Sequence, residues 1–143
     1  MKVFSREEQS RLLDHSPWNI EIDLELGKQP SSSHLYPLSH NELEMLHEYI
    51  DEMFKAGKIR PSKGSAGAPV FFVPKSHGRG LRVVVNYRGL NAITIKDKYP
   101  LPLMSELMDR VGRSKWFTKL DLKNSYNLVR VASGHEWKTA FKT

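Results

Sequence analysis

Trp116-Phe117-Thr118-Lys119-Leu120-Asp121-Leu122-Lys123-Asn124-Ser125-Tyr126 is the most informative stretch of this chain. Its first residues, aromatic and β-branched, favour a half-buried strand. Asp121 follows between Leu120 and Leu122, where a strand would ordinarily carry another apolar side chain, and turn-forming residues come next. A carboxylate at a strand end suits a divalent cation, and the Leu122 carbonyl offers a second hard oxygen ligand. The alternative is that Asp121 only caps the turn.

The charge of the chain is unevenly distributed around this stretch. The net charge is +6, yet residues 1–54 carry 4 basic and 11 acidic side chains. Residues 55–100 carry 10 basic side chains and 1 acidic one, a net of +9. A segment this one-sided repels itself unless an anion shares the space, which indicates nucleic acid or phosphate as a partner. The alternative is an ordinary solvated surface.

Composition excludes several classes of protein. The chain has no cysteine, which rules out disulfides and thiolate zinc sites, and its six histidines show no metal-binding spacing. No apolar run approaches the length of a membrane span, and the charged N-terminus lacks the apolar core of a signal peptide. We therefore expect no membrane association and an intracellular location.

Local patterns predict an amphipathic helix and a basic hairpin. Ser39 to Glu42 is a capping box, after which apolar residues recur every three or four positions up to Gly57. Two β-rich runs, 70–73 and 81–87, predict a hairpin whose tip gathers cationic side chains and glycines. These tip residues are Lys75, His77, Gly78, Arg79, Gly80 and Arg82. Glycines let backbone approach a phosphate, although the alternative is a turn whose charges only keep it soluble.

Further elements are predicted on either side of these two. Alternation of apolar and acidic residues over 20–26 predicts a one-sided strand within an extended lead-in. Leu103, Leu107 and Val111 predict a short helix between Pro102 and Gly112. Residues 128–131 predict another strand, and residues 138–143 the start of a last one.

Taken in order, five motifs resemble one family. They are Val-Phe-Phe-Val-Pro-Lys (70–75), Leu-Arg-Val-Val-Val-Asn-Tyr-Arg-Gly-Leu-Asn (81–91), Tyr-Pro-Leu-Pro (99–102), Phe-Thr-Lys-Leu-Asp-Leu-Lys-Asn-Ser-Tyr (117–126) and Glu-Trp-Lys-Thr-Ala-Phe (136–141). Together they resemble the reverse transcriptase of gypsy-type LTR retrotransposons (Metaviridae). Pro17-Trp18 and Tyr36-Pro37-Leu38-Ser39 also resemble the start of that domain, so the resemblance covers nearly the whole chain.

The resemblance implies an α+β fold, the fingers subdomain of a right-hand polymerase with an incomplete palm. Residues 1–38 would form an extended lead-in, 39–102 the fingers, and 103–143 the first part of the palm, ending before the second catalytic motif. The implied activity is that of an RNA-directed DNA polymerase acting by two-metal nucleotidyl transfer. The implied cofactor is Mg²⁺ or Mn²⁺, and the implied partners are an RNA or DNA template-primer, deoxynucleoside triphosphates and the remainder of the pol polyprotein.

The resemblance also assigns roles to individual residues. Asp121 falls on the first catalytic carboxylate and, with the Leu122 carbonyl, on the metal ligands. Lys75 and Arg82 fall on the cations that hold the phosphates of the incoming nucleotide. Tyr126 falls on the aromatic residue that lies under the nucleotide sugar and rejects a 2′-hydroxyl. The implied nucleic-acid contacts are Arg79, Arg88 and Asn91.

One departure from the family pattern matters for function. The family needs a Tyr/Phe-x-Asp-Asp motif on a later hairpin of the palm, and this chain contains no Asp-Asp pair. We therefore expect a fragment that is inactive alone, located within the cell in a cytoplasmic virus-like particle or the nucleus. The alternative is a non-catalytic nucleic-acid-binding remnant or regulator derived from a retrotransposon.

Overall fold

The computed structural model describes residue 12 and residues 14–75, 80–120 and 129–143. Within these ranges the chain forms three α-helices, a two-stranded antiparallel sheet and a 3₁₀ helix. The predicted α+β class is confirmed. None of the helices in the described ranges is long and apolar enough to cross a bilayer.

Helix α1, His40–Lys55, begins and ends where its sequence predicts. The Ser39 hydroxyl accepts from the Glu42 amide, and a Glu42 carboxylate oxygen accepts from the Ser39 amide at 2.8 Å. This exchange lowers the pKa of the Glu42 carboxyl, because the bonds favour its charged form. Gly57 ends the helix in the left-handed region at a φ of 65°. Of the predicted apolar face, Leu46 and Met53 are buried.

The predicted hairpin is formed by β1, Val70–Pro74, and β2, Leu81–Val85. Its register pairs Val70 with Val85 and Pro74 with Leu81. Val70 is buried, whereas the other strand residues are half-buried or exposed. One face of this small sheet therefore reaches the core at Val70, and the apolar residues of the opposite face, Phe71, Val73 and Val84, are half-buried.

The described part of the predicted lead-in, residue 12 and residues 14–38, pairs with other parts of the chain only at isolated bridges. Ile20 forms a parallel bridge with Val131, and Leu24 an antiparallel bridge with Thr94. Between them Ile22 is buried, with 8% of its surface exposed, while Leu26 is fully exposed. The predicted one-sided strand is thus reduced to two bridges around one buried residue.

Helix α2, Arg88–Ile93, has no counterpart among the predicted elements. The Asn86 side chain accepts from the Arg88 amide at 3.1 Å, which helps start the helix. At its other end the Thr94 hydroxyl donates to the Leu90 carbonyl at 2.8 Å. Short side chains that satisfy the two ends make a six-residue helix possible despite Gly89 within it.

The predicted last strand over residues 138–143 is wrong for its first half. Residues Glu136–Thr139 form a 3₁₀ helix, with the Ala140 amide donating to the Trp137 carbonyl at 3.3 Å. The Thr139 hydroxyl also donates to the Glu136 carbonyl at 2.7 Å. Local bonds thus satisfy groups that a strand would pair with a neighbour. Of residues 138–143, Phe141 alone makes a bridge, parallel to Ala68. Of the predicted strand over 128–131, residue 128 lies outside the described residues, and Val131 forms the one bridge of residues 129–131.

Helix α3, Met104–Gly112, lies where predicted, and none of its residues is buried. Residues 116–120 are not the predicted half-buried strand: they form no strand, and Trp116 is 92% exposed. A strand is stabilised by hydrogen bonds to a neighbouring strand. Within the described residues, no strand pairs with this stretch.

The core is small relative to the surface of the chain. The buried hydrophobic residues of the described ranges are Ile22, Leu46, Met53, Ala66 and Val70. The accessible surface is 12,682 Å², against about 7,500 Å² expected for a compact monomer of 16.5 kDa. Within the described residues, positions 95–120 are all exposed and bury none of this surface in a core.

Candidate functional site

The two cations predicted to hold phosphate lie on one face of the hairpin. Arg82 pairs directly with Val73 across the strands, and the Lys75 amide donates to the Gly80 carbonyl at 2.8 Å just beyond the ladder. Because side chains alternate along a strand, Val73, Lys75 and Arg82 share a face. Lys75 and Arg82 are both exposed, and within the described residues neither pairs with a carboxylate.

The same face carries an aromatic pair that the sequence did not assign to the site. Phe71 pairs with Val84, two positions from Arg82, and therefore lies on the cationic face. Tyr36 of the lead-in packs edge-on against Phe71, with ring centroids 6.1 Å apart and planes at 80°. The Tyr36 hydroxyl accepts from the Asn86 amide group at 3.0 Å. The lead-in is thus fixed to the hairpin face that carries Lys75 and Arg82.

Helix α2 extends this surface with two polar side chains, Arg88 and Asn91. Both are exposed, and their spacing of three residues places them on one side of the helix. Asn86 holds the Arg88 amide and the Tyr36 hydroxyl through its two side-chain atoms. The predicted nucleic-acid contacts therefore begin immediately after the strand that bears Arg82.

Tyr87 anchors the start of α2 to the C-terminal part of the chain. Its hydroxyl donates to the Thr139 carbonyl at 2.8 Å. Burial of the ring raises the pKa of Tyr87 to about 12, and the nearby Tyr49 of α1 adds a smaller increase. Tyr87 consequently stays neutral and able to donate over the whole physiological range.

The residues predicted to carry the chemistry itself lie outside the described residues. These are Asp121, Leu122 and Tyr126, and the predicted nucleic-acid contact Arg79 also lies outside the described residues. In the described ranges, no group of three His, Asp or Glu side chains is placed to hold a metal ion. The predicted metal ligands, the Asp121 carboxylate and the Leu122 carbonyl, are hard oxygen donors of the kind that Mg²⁺ prefers.

Sequence reasoning missed three residues that shape this surface: Tyr36, Asn86 and Tyr87. Each belongs to a motif quoted for the family resemblance, but none received a role. An asparagine two residues before a helix is a usable signal, because its side chain can accept from the first amides. No local signal indicates that Tyr36 and Asn86 meet, since 50 residues separate them.

Comparisons with known proteins agree on one family. Residues 73–143 match the family model for reverse transcriptase (RNA-dependent DNA polymerase). The Tf2-3 and Tf2-4 transposon polyproteins of Schizosaccharomyces pombe are each 44% identical to the chain over 125 residues, which is 87% of the chain. The chain spans 9% of the length of these relatives.

Solved structures show the same similarity in three dimensions. The selenomethionine-labelled protease–reverse transcriptase of prototype foamy virus superposes with a TM-score of 0.70 at 25% identity. The native form gives 0.69 at 26% identity. Each comparison covers 86% of this chain and 17% of the viral chain.

Proposed function

The chain belongs to the reverse transcriptase family as a fragment of the reverse transcriptase domain of a gypsy-type LTR-retrotransposon polyprotein, and we propose that it holds the incoming nucleotide of an RNA-directed DNA polymerase. The observation that carries the proposal is that two exposed cations, Lys75 and Arg82, lie on one face of the hairpin. We propose the polymerase activity, and the nucleotide and template-primer substrates, for the intact enzyme of which this chain is a part.

The charge and geometry of the hairpin face support a polyphosphate ligand. Two cations on one face, with no carboxylate partner among the described residues, repel each other, and an anion between them relieves that repulsion. Arg82 presents a planar fork of donors suited to two phosphate oxygens, whereas Lys75 presents a compact point charge. The strand pairing restricts the backbone of both residues, so little ordering of backbone is needed on binding.

In the proposed reaction, the 3′-hydroxyl of the primer loses its proton to water, and its oxygen bonds to the α-phosphorus of the nucleotide. The bond from that phosphorus to the bridging oxygen breaks, and pyrophosphate leaves. Lys75 and Arg82 would hold the departing phosphates and offset their growing charge. Asp121 and the Leu122 carbonyl would hold Mg²⁺ or Mn²⁺, which supplies charge stabilisation at the transferring phosphate.

Other residues would select and position the substrates. Tyr126 would lie under the sugar and exclude a 2′-hydroxyl by repulsion. Arg79, Arg88 and Asn91 would contact the template-primer, with the rest of the +9 segment adding sequence-independent attraction. The proposed division is a lead-in over 1–38, fingers over 39–102 and the start of the palm over 103–143, completed by the remainder of the pol polyprotein. We place the enzyme in a cytoplasmic virus-like particle or the nucleus.

Nucleotide kinetics of Arg82→Ala in the intact reverse transcriptase test this proposal. Loss of charge-assisted hydrogen bonds should lower kcat/KM for deoxynucleotides by about 10- to 100-fold, with template-primer affinity unchanged. Lys98→Ala is the matched control, because Lys98 is an exposed cation of the same basic segment but lies in the connector before α3. Unchanged nucleotide kinetics with weakened template binding would assign Arg82 to nucleic acid instead.

A further inference from the structure

The backbone of Ile22 is held on both sides by side chains from the other end of the chain. Its amide donates to His135 Nδ1 at 2.8 Å, and its carbonyl accepts from Lys138 Nζ at 2.6 Å. Ile22 is buried, so neither backbone group has ready access to water. Two titratable side chains thus take the place of a neighbouring strand.

Hydrogen bonds between backbone groups form on either side of Ile22. The Ile20 amide donates to the Arg130 carbonyl at 2.8 Å, and the Ile95 amide donates to the Asp23 carbonyl at 2.8 Å. The lead-in therefore links residues 130–132 to the end of α2, the helix that carries Arg88 and Asn91. Ile22 lies midway along this link.

We propose that His135 and Lys138 are positioning residues that dock the lead-in through Ile22, and that protonation of His135 releases it. Nδ1 accepts a hydrogen bond only when it is unprotonated, so the neutral ring carries its proton on Nε2. A proton on Nδ1 would set a donor against the Ile22 donor and leave a buried amide unsatisfied. Within the described residues, the bond from Lys138 to the Ile22 carbonyl would then be the remaining side-chain contact of the Ile22 backbone.

Among the described residues, no hydrogen bond or ion pair joins the His135 ring to a carboxylate. Glu136 accepts from Arg60 at 2.7 Å. Glu21 and Asp23 flank Ile22 and are exposed. From the remaining neighbours, Lys138 brings a positive charge, and Arg130 contributes its carbonyl to Ile20. Protonation of His135 would therefore lose the Ile22 bond and add a second positive charge beside Lys138.

Hydrogen exchange measured by mass spectrometry on the intact reverse transcriptase tests the docking directly. Labelling at about pH 7.5 and about pH 5.5, with times scaled for intrinsic exchange, should show protection of residues 19–25 falling about 5- to 10-fold at the lower pH. Residues 43–55 of α1 serve as the internal reference. A fall shared equally by both segments would overturn the proposal.

Three variants separate the two side chains. His135→Asn keeps an acceptor that does not titrate, so protection of 19–25 should be equal at both pH values. Lys138→Met removes the charge and keeps most of the aliphatic side chain. It should lower protection of residues 19–25 at both pH values while preserving the pH dependence. His47→Asn, on the exposed side of α1, should behave as wild type. Identical pH dependence in wild type and His135→Asn would refute the switch.

A spectroscopic measurement on the wild-type protein covers the case in which a variant does not fold. With ¹⁵N-labelled histidine, the His135 ring should show an unprotonated Nδ1 and a protonated Nε2 at about pH 7.5. Variants of the exposed histidines assign its signals by elimination. A protonated Nδ1 at this pH would refute the bond to Ile22.

The consequence for DNA synthesis rests on the proposed function. Release of the lead-in would loosen α2 against residues 130–139, so kcat should fall further on acidification in wild type than in His135→Asn. Wild type and His135→Asn could lose kcat equally on acidification while hydrogen exchange of residues 19–25 still depends on His135. That result would refute control of catalysis and would leave the docking proposal intact. The exchange result does not depend on any polymerase activity, so failure of the proposed function is recognised separately.

Discussion

Replacement of Tyr87 by phenylalanine should change the free energy of unfolding at neutral pH. It should also change how that free energy depends on alkaline pH. The Tyr87 hydroxyl donates to the Thr139 carbonyl at 2.8 Å and joins the start of α2 to the 3₁₀ helix. Tyr87→Phe keeps the buried ring and removes only this bond. At neutral pH we expect the free energy of unfolding to fall by about 1 kcal/mol.

The alkaline effect has the opposite sign. Burial raises the pKa of Tyr87 from 10.0 to about 12 in the folded protein. The neutral hydroxyl therefore contributes stability that is complete below the unfolded value and is lost as pH rises through the folded one. Two pKa units correspond to about 2.7 kcal/mol in all, of which about 1.4 kcal/mol is lost by about pH 11.

Urea unfolding of the reverse transcriptase domain, followed by circular dichroism between about pH 8 and about pH 11, measures both effects. Wild type should be the more stable protein at the lower pH, and the two stabilities should converge or cross near about pH 11. Absorbance titration should show that the variant lacks the tyrosine that ionises last. A constant stability difference across this range, or ionisation of Tyr87 near 10, would refute the argument from burial.

Three further predictions concern the catalytic residues and the isolated chain. Asp121→Asn should abolish polymerisation by the intact enzyme with its thermal unfolding unchanged, because an amide cannot replace the carboxylate charge beside the metal; near-normal turnover would exclude Asp121 as a ligand. Tyr126→Val should raise incorporation of ribonucleotides relative to deoxynucleotides in competition assays, and an unchanged ratio would exclude a steric gate. Residues 1–143 alone should give no primer extension and no cooperative thermal unfolding as a monomer, because α3 has no buried residue and the surface is large for the mass. Primer-extension assays, calorimetry and sedimentation check this, and extension above a buffer control or a cooperative monomeric transition would contradict it.

The elements that sequence predicted correctly are those whose defining contacts are close along the chain. The capping box of α1 lies within four residues, and Gly57 ends that helix because glycine adopts a positive φ at little cost. The hairpin follows from two β-rich runs separated by a glycine-containing turn. The positions of Lys75 and Arg82 on one face then follow from strand pairing and the two-residue period.

The predictions that failed needed a partner from a distant part of the chain. Residues 116–120 have the composition of a strand, but within the described residues no strand pairs with them. The hydrogen-bonding groups of residues 136–140 satisfy one another locally, so a 3₁₀ helix forms where a strand was predicted. Helix α2 was missed because a helix of six residues shows little periodicity.

The sequence by itself determined the family, the basic character of the hairpin and the limits of α1, because ordered motifs, charge and caps are properties of neighbouring residues. Only the tertiary structure decided that Tyr36 packs on Phe71 and that Tyr87 reaches Thr139. It also decided that His135 accepts from the Ile22 amide, 113 residues away. A hydrogen-bond donor in the lead-in can be satisfied by many acceptors, and nothing in its local sequence specifies one at that distance. Chain folding makes the choice, because burial of Ile22 requires its backbone groups to find partners within the protein.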